Sequence, residues 1–316
     1  MTTRRALISG GAGFIGSTVA DALIADGWTV TVLDNLSSGK RAQVPAAATL
    51  VEADIRSPEA AACIRDGQFD LVCHLAAQID VRKSVTDPAY DVDVNIGGSV
   101  KLMQAVHATG RRTRMIFAST GGAVYGDFIE PPNVETYAKD PESPYGIAKF
   151  ATELYLAYYA RVHKLDYLAL RFANVYGPRQ DPHGEAGVVA IFCQRIIDGT
   201  PLTVFGDGGQ TRDYVFVGDV ARAHVLAAAV PTIPAGRVDD RAFNLGTQRE
   251  TSVTELAGTL MRAAMKQVPL NHAPARAGEQ RRSVVSIEKA KAGLGWAPQV
   301  SLEEGLRRTY DWFAAR

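Results

Sequence analysis

The chain has 316 residues and a mass of 33.9 kDa, more than one hydrophobic core usually organises, so two lobes or one large α/β unit are expected. Hydrophobic residues make up 47% of the sequence and charged residues 22%, which excludes wholesale disorder. The 34 Lys and Arg residues equal the 34 Asp and Glu residues, and this zero net charge argues against nucleic acid as a main partner.

The first 120 residues repeat one pattern, in which a short apolar run rich in β-branched residues is followed by a turn and a helical stretch. The apolar runs hardly alternate, which is typical of strands buried on both faces of a parallel sheet. The predicted strands cover residues 5–9, 29–33, 49–52, 71–75 and 115–119, and the helices between them cover residues 15–26, 57–66 and 94–109.

The texture changes at residues 127–144, a polar segment with four prolines that predicts a loop beside a site. A helix over 145–163 and a strand over 167–172 follow. Right-handed crossovers then predict a doubly wound parallel Rossmann sheet over residues 1–173. Residues 174–316 alternate Gly- and Pro-containing loops with short elements, which predicts a smaller mixed α/β lobe that binds substrate, some of whose segments return to the first domain.

A glycine-rich stretch, SGGAGFIG at residues 9–16, lies between the first predicted strand and helix and contains a GxGxxG motif. Glycine is needed where a pyrophosphate approaches the N–H groups of a helix N-terminus, since a Cβ would hold the phosphates off. The alternative is a glycine-rich turn without a ligand.

Two acids follow the next strands. Asp34 stands eighteen residues after Gly16, close to the spacing expected of the acid that accepts hydrogen bonds from the adenosine ribose. Its carboxylate would repel a 2′-phosphate, which favours NAD over NADP, although Lys40 and Arg41 lie nearby. Asp54, after the third strand, is a candidate for the adenine amino group, with an ordinary strand-end role as the alternative.

Tyr145 and Lys149 stand four residues apart in a helix opened by a Ser-Pro dipeptide, so their side chains share one face. A phenol is a poor base at neutral pH, and we expect the ammonium to lower the pKa of Tyr145. Such a tyrosine takes an alcohol proton while hydride leaves the same carbon; a surface helix pair is the alternative. Ser119 and Thr120 end the fifth strand, where a hydroxyl either hydrogen-bonds the reacting oxygen or merely caps the strand.

The three cysteines, Cys63, Cys73 and Cys193, form no CxxC motif, and no histidine stands at metal-ligand spacing, so we expect reduced thiols and no metal. No apolar run approaches the roughly 18 residues of a membrane-spanning helix. We therefore expect a soluble cytoplasmic protein without a membrane partner.

Several further stretches accompany these motifs in both halves of the chain. They are DNLSSG at 34–39, HLAA at 74–77, STGGAVYG at 119–126, RFANVYGPR at 171–179, VFG at 204–206, TRDY at 211–214 and RAGE at 276–279. Together with SGGAGFIG and the Tyr145–Lys149 pair, they resemble the extended short-chain dehydrogenase/reductase superfamily, and within it the UDP-glucose 4-epimerase family of bacteria. The resemblance covers nearly the whole chain.

The resemblance implies NAD as the cofactor and assigns residues to each part of it. The pyrophosphate would lie on Gly10, Gly13, Phe14, Ile15 and Gly16; the adenosine ribose among Asp34, Asn35, Ser37 and Gly39; and adenine between Asp54 and Ile55. Leu75, Ala76 and Ala77 would line the nicotinamide side with Asn95 nearby, Lys149 would reach the nicotinamide ribose, and Ser119, Tyr145 and Phe172 complete the set. Related epimerases often carry Lys or Tyr in place of Ile79 and Phe172.

A UDP-sugar is the substrate that the resemblance implies. The positions matching those that hold uridine and diphosphate are Asn174, Val188, Phe205, Arg212 and Arg276. Two arginine forks suit a diphosphate, with surface salt bridges as the alternative for either one alone. Ser283 matches a position that borders the sugar's C2 substituent, where a bulky tyrosine excludes N-acetyl groups, so the serine predicts turnover of plain and N-acetylated hexoses.

In the implied reaction, Tyr145 removes the proton from the sugar 4-hydroxyl, Thr120 or Ser119 binds the reacting oxygen with Thr120 favoured, and hydride passes to NAD. The 4-keto intermediate rotates, and hydride returns to its opposite face. Enzymes that dehydrate or decarboxylate place an acid shortly after the corresponding Thr, where this chain has Gly121 and Gly122. Net epimerisation is therefore expected.

Two alternatives remain open from the sequence. UDP-glucuronate would need a cation near its C6, and a non-catalytic NAD-sensing protein would have no need for Tyr145 and Lys149 together. The resemblance also implies a homodimer, built from the helices over 94–109 and 145–163. The second of these carries Tyr155, Tyr158 and Tyr159, which pack internally if the chain is a monomer.

Overall fold

The computed structural model describes residues 4–183, 187–275 and 280–316. Strands and helices alternate over its first half, as the repeated pattern predicts. They are β1 (Arg5–Ser9), α1 (Phe14–Ala25), β2 (Thr29–Asp34), β3 (Thr49–Glu52), α2 (Pro58–Gly67), β4 (Leu71–His74), α3 (Val81–Thr86), α4 (Pro88–Val92), α5 (Ser99–Ala108), β5 (Arg114–Thr120), α6 (Pro144–His163) and β6 (Asp166–Phe172). Over these ranges, no helix is both long and apolar enough to cross a membrane.

The second half consists of shorter elements. They are β7 (Asn174–Tyr176), α7 (Val188–Ile197), β8 (Leu202–Phe205), β9 (Thr211–Arg212), β10 (Tyr214–Phe216), α8 (Val217–Ala229), β11 (Ala242–Leu245), β12 (Thr251–Ser252), α9 (Val253–Ala263), β13 (Leu270–Ala273), β14 (Arg282–Ser283), α10 (Glu288–Leu294) and α11 (Leu302–Ala314). Small sheets join β10 with β7, β12 and β14 with β9, and β13 with β8.

One large sheet organises the described part of the chain. Its seven strands run in the order β11-β6-β5-β4-β1-β2-β3, and every neighbouring pair is parallel. Helices cover both faces, so nearly all residues of the central strands are buried, which explains their unbroken apolar runs. The predicted doubly wound Rossmann sheet is confirmed.

Segments from beyond residue 173 complete this first unit. β11 pairs with β6 at the sheet edge, and α8 packs against α1. Trp296, which is fully buried after α10, belongs to the same core cluster as β1 and β2, and its indole donates to the Asp219 carbonyl at 2.8 Å. The chain therefore leaves the first lobe and re-enters it.

The helix predicted over 94–109 differs in its first half. Residues Asp93–Gly98 form a π-helical turn, and regular α-helix begins only at Ser99. Gly98 lies against Ile55, where an added Cβ would stand 2.6 Å from Cδ1 of the isoleucine. The two short helices before this turn, α3 and α4, were not predicted because they are too short to show a period.

A charged cluster is buried between β6, α6 and the segment before β11. The Arg171 side chain is fully buried, and all its N–H groups have acceptors. Nε donates to Glu153 Oε1 at 3.0 Å, and Nη2 donates to Glu153 Oε2 at 2.6 Å and Asp239 Oδ1 at 2.9 Å. Nη1 donates to the Tyr125 hydroxyl at 3.0 Å and the Glu135 carbonyl at 3.1 Å. The cluster joins four separate segments.

We predict that Arg171→Leu lowers the free energy of unfolding by about 3–5 kcal/mol, because it leaves the Glu153 carboxylate buried without its cation. Arg171→Leu combined with Glu153→Leu recovers part of that loss, since no unpaired charge is left between them. Urea unfolding followed by circular dichroism measures both changes. Arg281→Leu, which breaks the exposed Arg281–Asp207 pair, is the control and leaves the midpoint nearly unchanged. A similarly small loss for Arg171→Leu contradicts the prediction.

Candidate active site

The glycine loop forms a close contact with the segment after β4. Gly10 has φ +74°, and a Cβ there would stand 2.6 Å from the Ala76 nitrogen; a Cβ on Gly16 would stand 2.1 Å from the Gly10 carbonyl oxygen. Gly13 is the N-cap of α1 and has no side chain to cap the helix. The N–H groups of the first turn, from Phe14 to Gly16, therefore face outward for an anion.

Asp34 ends β2 and is buried beside this loop. Its Oδ2 accepts from the Ala12 N–H at 2.9 Å, and its Oδ1 accepts from the Leu36 N–H at 2.8 Å. Gly39 lies against it, since an added Cβ would stand 2.8 Å from Asp34 Oδ1. Each carboxylate oxygen keeps a lone pair for a ribose hydroxyl, which fits the adenosine end of NAD.

Lys40 and Arg41, the two cations that kept NADP as an alternative to NAD, each have a carboxylate partner. Lys40 Nζ lies 3.3 Å from Asp181 Oδ2, and Arg41 pairs with Glu52. Binding of a 2′-phosphate of NADP by Lys40 or Arg41 would therefore compete with these ion pairs.

The residues expected around adenine lie together but are already bonded. Arg56 Nη2 lies 2.7 Å from Asp54 Oδ2, and this guanidinium holds the pKa of the Asp54 carboxyl well below its usual range. Asn35 Nδ2 also donates to Asp54 Oδ2 at 3.1 Å, while its Oδ1 accepts from the Ser37 N–H. Ile55 is buried next to them.

The segment Leu75 to Ala77 follows β4 and is half-buried. The Leu75 N–H donates to the Ser9 carbonyl at 3.0 Å. His74 precedes it, fully buried between the Ser9 and Ser99 hydroxyls at 2.7 and 2.8 Å, and burial lowers the pKa of His74 to about 3. Asn95 is buried close by, and its Oδ1 accepts from the Gln78 N–H at 2.8 Å.

Tyr145 and Lys149 share one face of α6, as their spacing predicts. Lys149 Nζ donates to the Ala118 carbonyl at 2.9 Å and lies 5.8 Å from the centre of the Tyr145 ring. The Tyr145 N–H donates to the Ser84 hydroxyl at 3.2 Å, so α3 holds the first turn of the helix.

The prediction that the Lys149 ammonium lowers the pKa of Tyr145 is wrong for this structure. Burial raises the pKa of Tyr145 well above its usual value, and the negative charge of Asp91 raises that pKa further. Burial also lowers the pKa of Lys149 to about 8. Loss of water thus outweighs the attraction between ammonium and phenolate at this distance, and the folded chain alone favours the neutral phenol.

The two hydroxyls at the end of β5 have different surroundings. The Ser119 hydroxyl is buried and donates to Glu153 Oε1 at 2.5 Å. Thr120 is half-buried, and its Oγ1 lies 3.8 Å from the point where a Cβ of Gly122 would stand.

Gly122 marks where predicted substrate residues from both lobes meet. The nearest heavy atoms to its added Cβ are Thr120 Oγ1, Asn174 Oδ1 and Ser283 Oγ, each at 3.8 Å. The adjoining residue Ala123 contacts α6, because a Cβ on Gly146 would stand 2.6 Å from its carbonyl oxygen. Three polar side chains thus converge on Gly122, near the helix that carries Tyr145.

The other predicted substrate residues lie in the second lobe. Arg212 stands opposite Ser283 in the register of β9 and β14, and its Nη1 donates to the Thr211 carbonyl at 2.8 Å. Val188 begins α7 and Phe205 ends β8. Phe172 was predicted to contact the cofactor, and it lies in the large sheet, where it ends β6 with its ring 5.8 Å from that of His224. Arg276 lies outside the described residues.

Sequence reasoning did not single out Glu153, Arg171 or Asp91. Glu153 stands four residues after Lys149, so the helical spacing that pairs Tyr145 with Lys149 extends to a third polar residue on the same face. Arg171 begins a stretch that was noted only for its likeness to a family. Only the tertiary structure shows that Glu153, Arg171 and Asp91 are buried.

Comparison with known proteins shows the family of the chain. Residues 6–246 match the NAD dependent epimerase/dehydratase family. A UDP-glucose 4-epimerase of Mycolicibacterium smegmatis is 43% identical over 98% of each chain. The crystal structure of a Thermotoga maritima UDP-glucose 4-epimerase with UDP-glucose superposes with a TM-score of 0.93, at 45% identity and covering 98% of this chain and 99% of that one.

A further solved structure broadens the group. The UDP-N-acetylglucosamine 4-epimerase of Methanobrevibacter ruminantium, in complex with UDP-N-acetylmuramic acid, has a TM-score of 0.92 at 32% identity and covers 100% of this chain and 99% of that one. The family match and these likenesses show that the chain belongs to the NAD dependent epimerase/dehydratase family and is an NAD-dependent isomerase similar to UDP-glucose 4-epimerases.

Proposed function

We propose that this enzyme epimerises C4 of UDP-glucose and UDP-galactose, and of their N-acetylated counterparts, through a 4-keto intermediate. The observation that carries the proposal is the convergence of Thr120, Asn174 and Ser283 at Gly122, beside the helix that bears Tyr145 and Lys149.

Tyr145 is the base in this proposal, and a positive charge near its phenol is needed to favour the phenolate form. Burial keeps the phenol neutral, and the Lys149 ammonium is anchored on the Ala118 carbonyl rather than on the phenol itself. When bound, oxidised NAD supplies a hydride acceptor and a positive charge that favours phenolate. Tyr145 then accepts the 4-hydroxyl proton, and returns it when the keto group is reduced on its other face.

Thr120 supplies the second hydrogen bond to the reacting oxygen. The Ser119 hydroxyl donates a hydrogen bond to the buried carboxylate of Glu153. Among the residues described, no acid lies at hydrogen-bonding distance from Thr120. Asn174 and Ser283 offer amide and hydroxyl groups to the sugar from the second lobe. Arg212, beside Ser283, offers its guanidinium to the diphosphate.

Acceptance of an N-acetyl group rests on the small side chain at residue 283. The Ser283 hydroxyl oxygen lies 3.8 Å from the point where a Cβ of Gly122 would stand, beside Thr120 and Asn174. The likeness to the Methanobrevibacter ruminantium enzyme, named a UDP-N-acetylglucosamine 4-epimerase, supports the N-acetylated part of this proposal.

A homodimer through α6 is also proposed. Tyr155 and Tyr158 are 43% and 45% exposed, whereas Tyr159 packs into the core. Further exposed apolar residues lie at heptad-like spacing on the same helix: Ile147, Leu154 and Val162. A stripe of this kind is more apolar than a solvated helix face requires, and a second copy of the same helix covers it.

The test of the reaction is to incubate the purified enzyme with UDP-galactose and with UDP-N-acetylgalactosamine, without added reductant, and to identify products by NMR. Tyr145→Phe is expected to lower turnover at least about 100-fold, because it removes proton transfer while leaving the fold intact. Acid denaturation should still release NAD from this variant. Tyr155→Phe is the matched control on the same helix and keeps full activity. Near-normal turnover by Tyr145→Phe would falsify the assignment of the base.

Ser283→Tyr is expected to reduce kcat/KM for the N-acetylated sugars at least about 10-fold more than for the plain hexoses, since its ring occupies the space beside the C2 substituent. Ser283→Ala, which adds no bulk, should keep the wild-type ratio of the two substrates. Steady-state kinetics on both sugars measure the ratio. An equal loss on both, or none on either, shows that residue 283 does not border the acetamido group.

Sedimentation equilibrium at micromolar concentration should give twice the chain mass of 33.9 kDa. Tyr158→Glu should shift the protein toward monomer, because it buries a charge in the proposed interface. Met265→Glu, at a residue that is 93% exposed after α9, is the control and leaves the dimer intact. A wild-type monomer contradicts the proposed dimer.

A further inference from the structure

Asp91 is a buried acid that the proposed reaction does not use. It lies in α4 with no exposed surface. Its Oδ1 accepts two amide hydrogen bonds, from Gln78 Nε2 and from Asn95 Nδ2, each at 2.9 Å. A carboxylate with two amide donors on one oxygen is a directed polar contact, not an accident of packing.

This contact orients Asn95. Because Nδ2 donates to Asp91, the amide oxygen must point the other way, where it accepts from the Gln78 N–H at 2.8 Å. Nδ2 also donates to the Gln78 carbonyl at 2.9 Å, so the side chain of Asn95 holds both backbone groups of one residue. Gln78 directly follows the segment Leu75 to Ala77, which is expected to line the nicotinamide.

The second oxygen of Asp91 has a different environment. Oδ2 is buried, and no donor in the described parts of the chain lies within hydrogen-bonding distance of it. Helix α4 packs against α3, α6 and the π-helical turn. The charged or titratable groups on these elements are Arg82 and Lys83 of α3 and Asp93 of the turn. Those of α6 are Tyr145, Lys149 and Glu153 and, further along the helix, Tyr155, Tyr158, Tyr159, Arg161 and His163.

Electrostatics couple Asp91 to the reacting pair. The Lys149 charge favours ionised Asp91 and so opposes the rise in its pKa that burial causes. In return, the Asp91 charge raises the pKa of Lys149 and of Tyr145. Glu153 also raises the pKa of Lys149, but it is bonded to Arg171. Burial and the Lys149 charge lower the pKa of His74 to about 3, so this histidine adds no positive charge near the pair.

We propose that Asp91 is a positioning residue of the epimerase, which fixes Asn95 and the segment beside the nicotinamide through Oδ1 and balances the charge of the Tyr145–Lys149 pair through Oδ2. The inference rests on the function proposed above. It assigns one carboxylate two separable effects, one geometric and one electrostatic.

Asp91→Asn separates them, because it keeps an oxygen that accepts from Gln78 and Asn95 but removes the charge. Without that charge, Tyr145 loses its proton at lower pH. The acid limb of the kcat/KM profile of the holoenzyme should therefore move to lower pH by about 0.5–1 unit. NAD released on acid denaturation should match the wild type. Asp91→Ser, which also lacks the charge, should move the limb in the same direction and covers poor folding of Asp91→Asn.

Gln78→Met is the matched control, since it removes one amide donor to Oδ1 but keeps the charge. It should leave the acid limb at its wild-type pH. Asp91→Ala removes the acceptor for both amides, so it should lower the NAD content of the purified protein at least about 3-fold, while thermal unfolding by circular dichroism confirms a folded chain.

An acid limb for Asp91→Asn and Asp91→Ser that coincides with the wild type overturns the electrostatic effect. Wild-type NAD content in folded Asp91→Ala overturns the geometric one. Failure of the proposed function is distinct, because the wild-type enzyme would then convert no UDP-sugar. The NAD measurement on Asp91→Ala still tests the geometric effect in that case.

Discussion

A fully buried guanidinium must have every N–H group satisfied, because an unpaired charge in the interior costs several kcal/mol. Arg171 meets that condition only when Glu153 of α6, Asp239, Tyr125 and the Glu135 carbonyl all reach it at once. The bond between Glu153 and Arg171 ties α6 to β6 in the interior. Tyr145 and Lys149 stand on the same helix, so this bond helps to position them against the sheet edge.

The same constraint assigns roles to neighbouring polar groups. Glu153 accepts the hydrogen bond of the Ser119 hydroxyl, which leaves Thr120 as the hydroxyl that faces Asn174 and Ser283 at Gly122. The Tyr125 hydroxyl accepts a hydrogen bond from Arg171 and donates one to Asn244 of β11. The edge strand, which comes from late in the chain, is therefore bonded to the cluster. The proline-containing loop over 127–144 joins it too, because Glu135 Oε1 accepts from the Asn244 N–H at 2.8 Å. The site therefore stands on a rigid base drawn from segments far apart in sequence.

The two ends of the cofactor region use different physics. At the pyrophosphate end, the chain presents backbone N–H groups at an uncapped helix terminus, and glycines permit the close approach. At the reacting end, a phenol, an amine and a carboxylate are enclosed where charge is costly. Burial pushes Tyr145 and Lys149 toward their neutral forms, so each nearby charge has a large effect on them. Among the residues that the structure describes, Asp91 accepts hydrogen bonds from two amides and has no cation bonded to it.

Local patterns in the sequence determined the strand and helix rhythm, the glycine loop, Asp34 after β2, and the shared face of Tyr145 and Lys149, because each depends on residues within one turn, one strand or one βα unit. Only the tertiary structure decided that β11 re-enters the first sheet and that a π-helical turn precedes α5. It also decided that the Ser119 hydroxyl donates its hydrogen bond to Glu153 and that burial raises the pKa of Tyr145. Those features arise from desolvation and from contacts between distant segments, neither of which has a periodic signature in the chain.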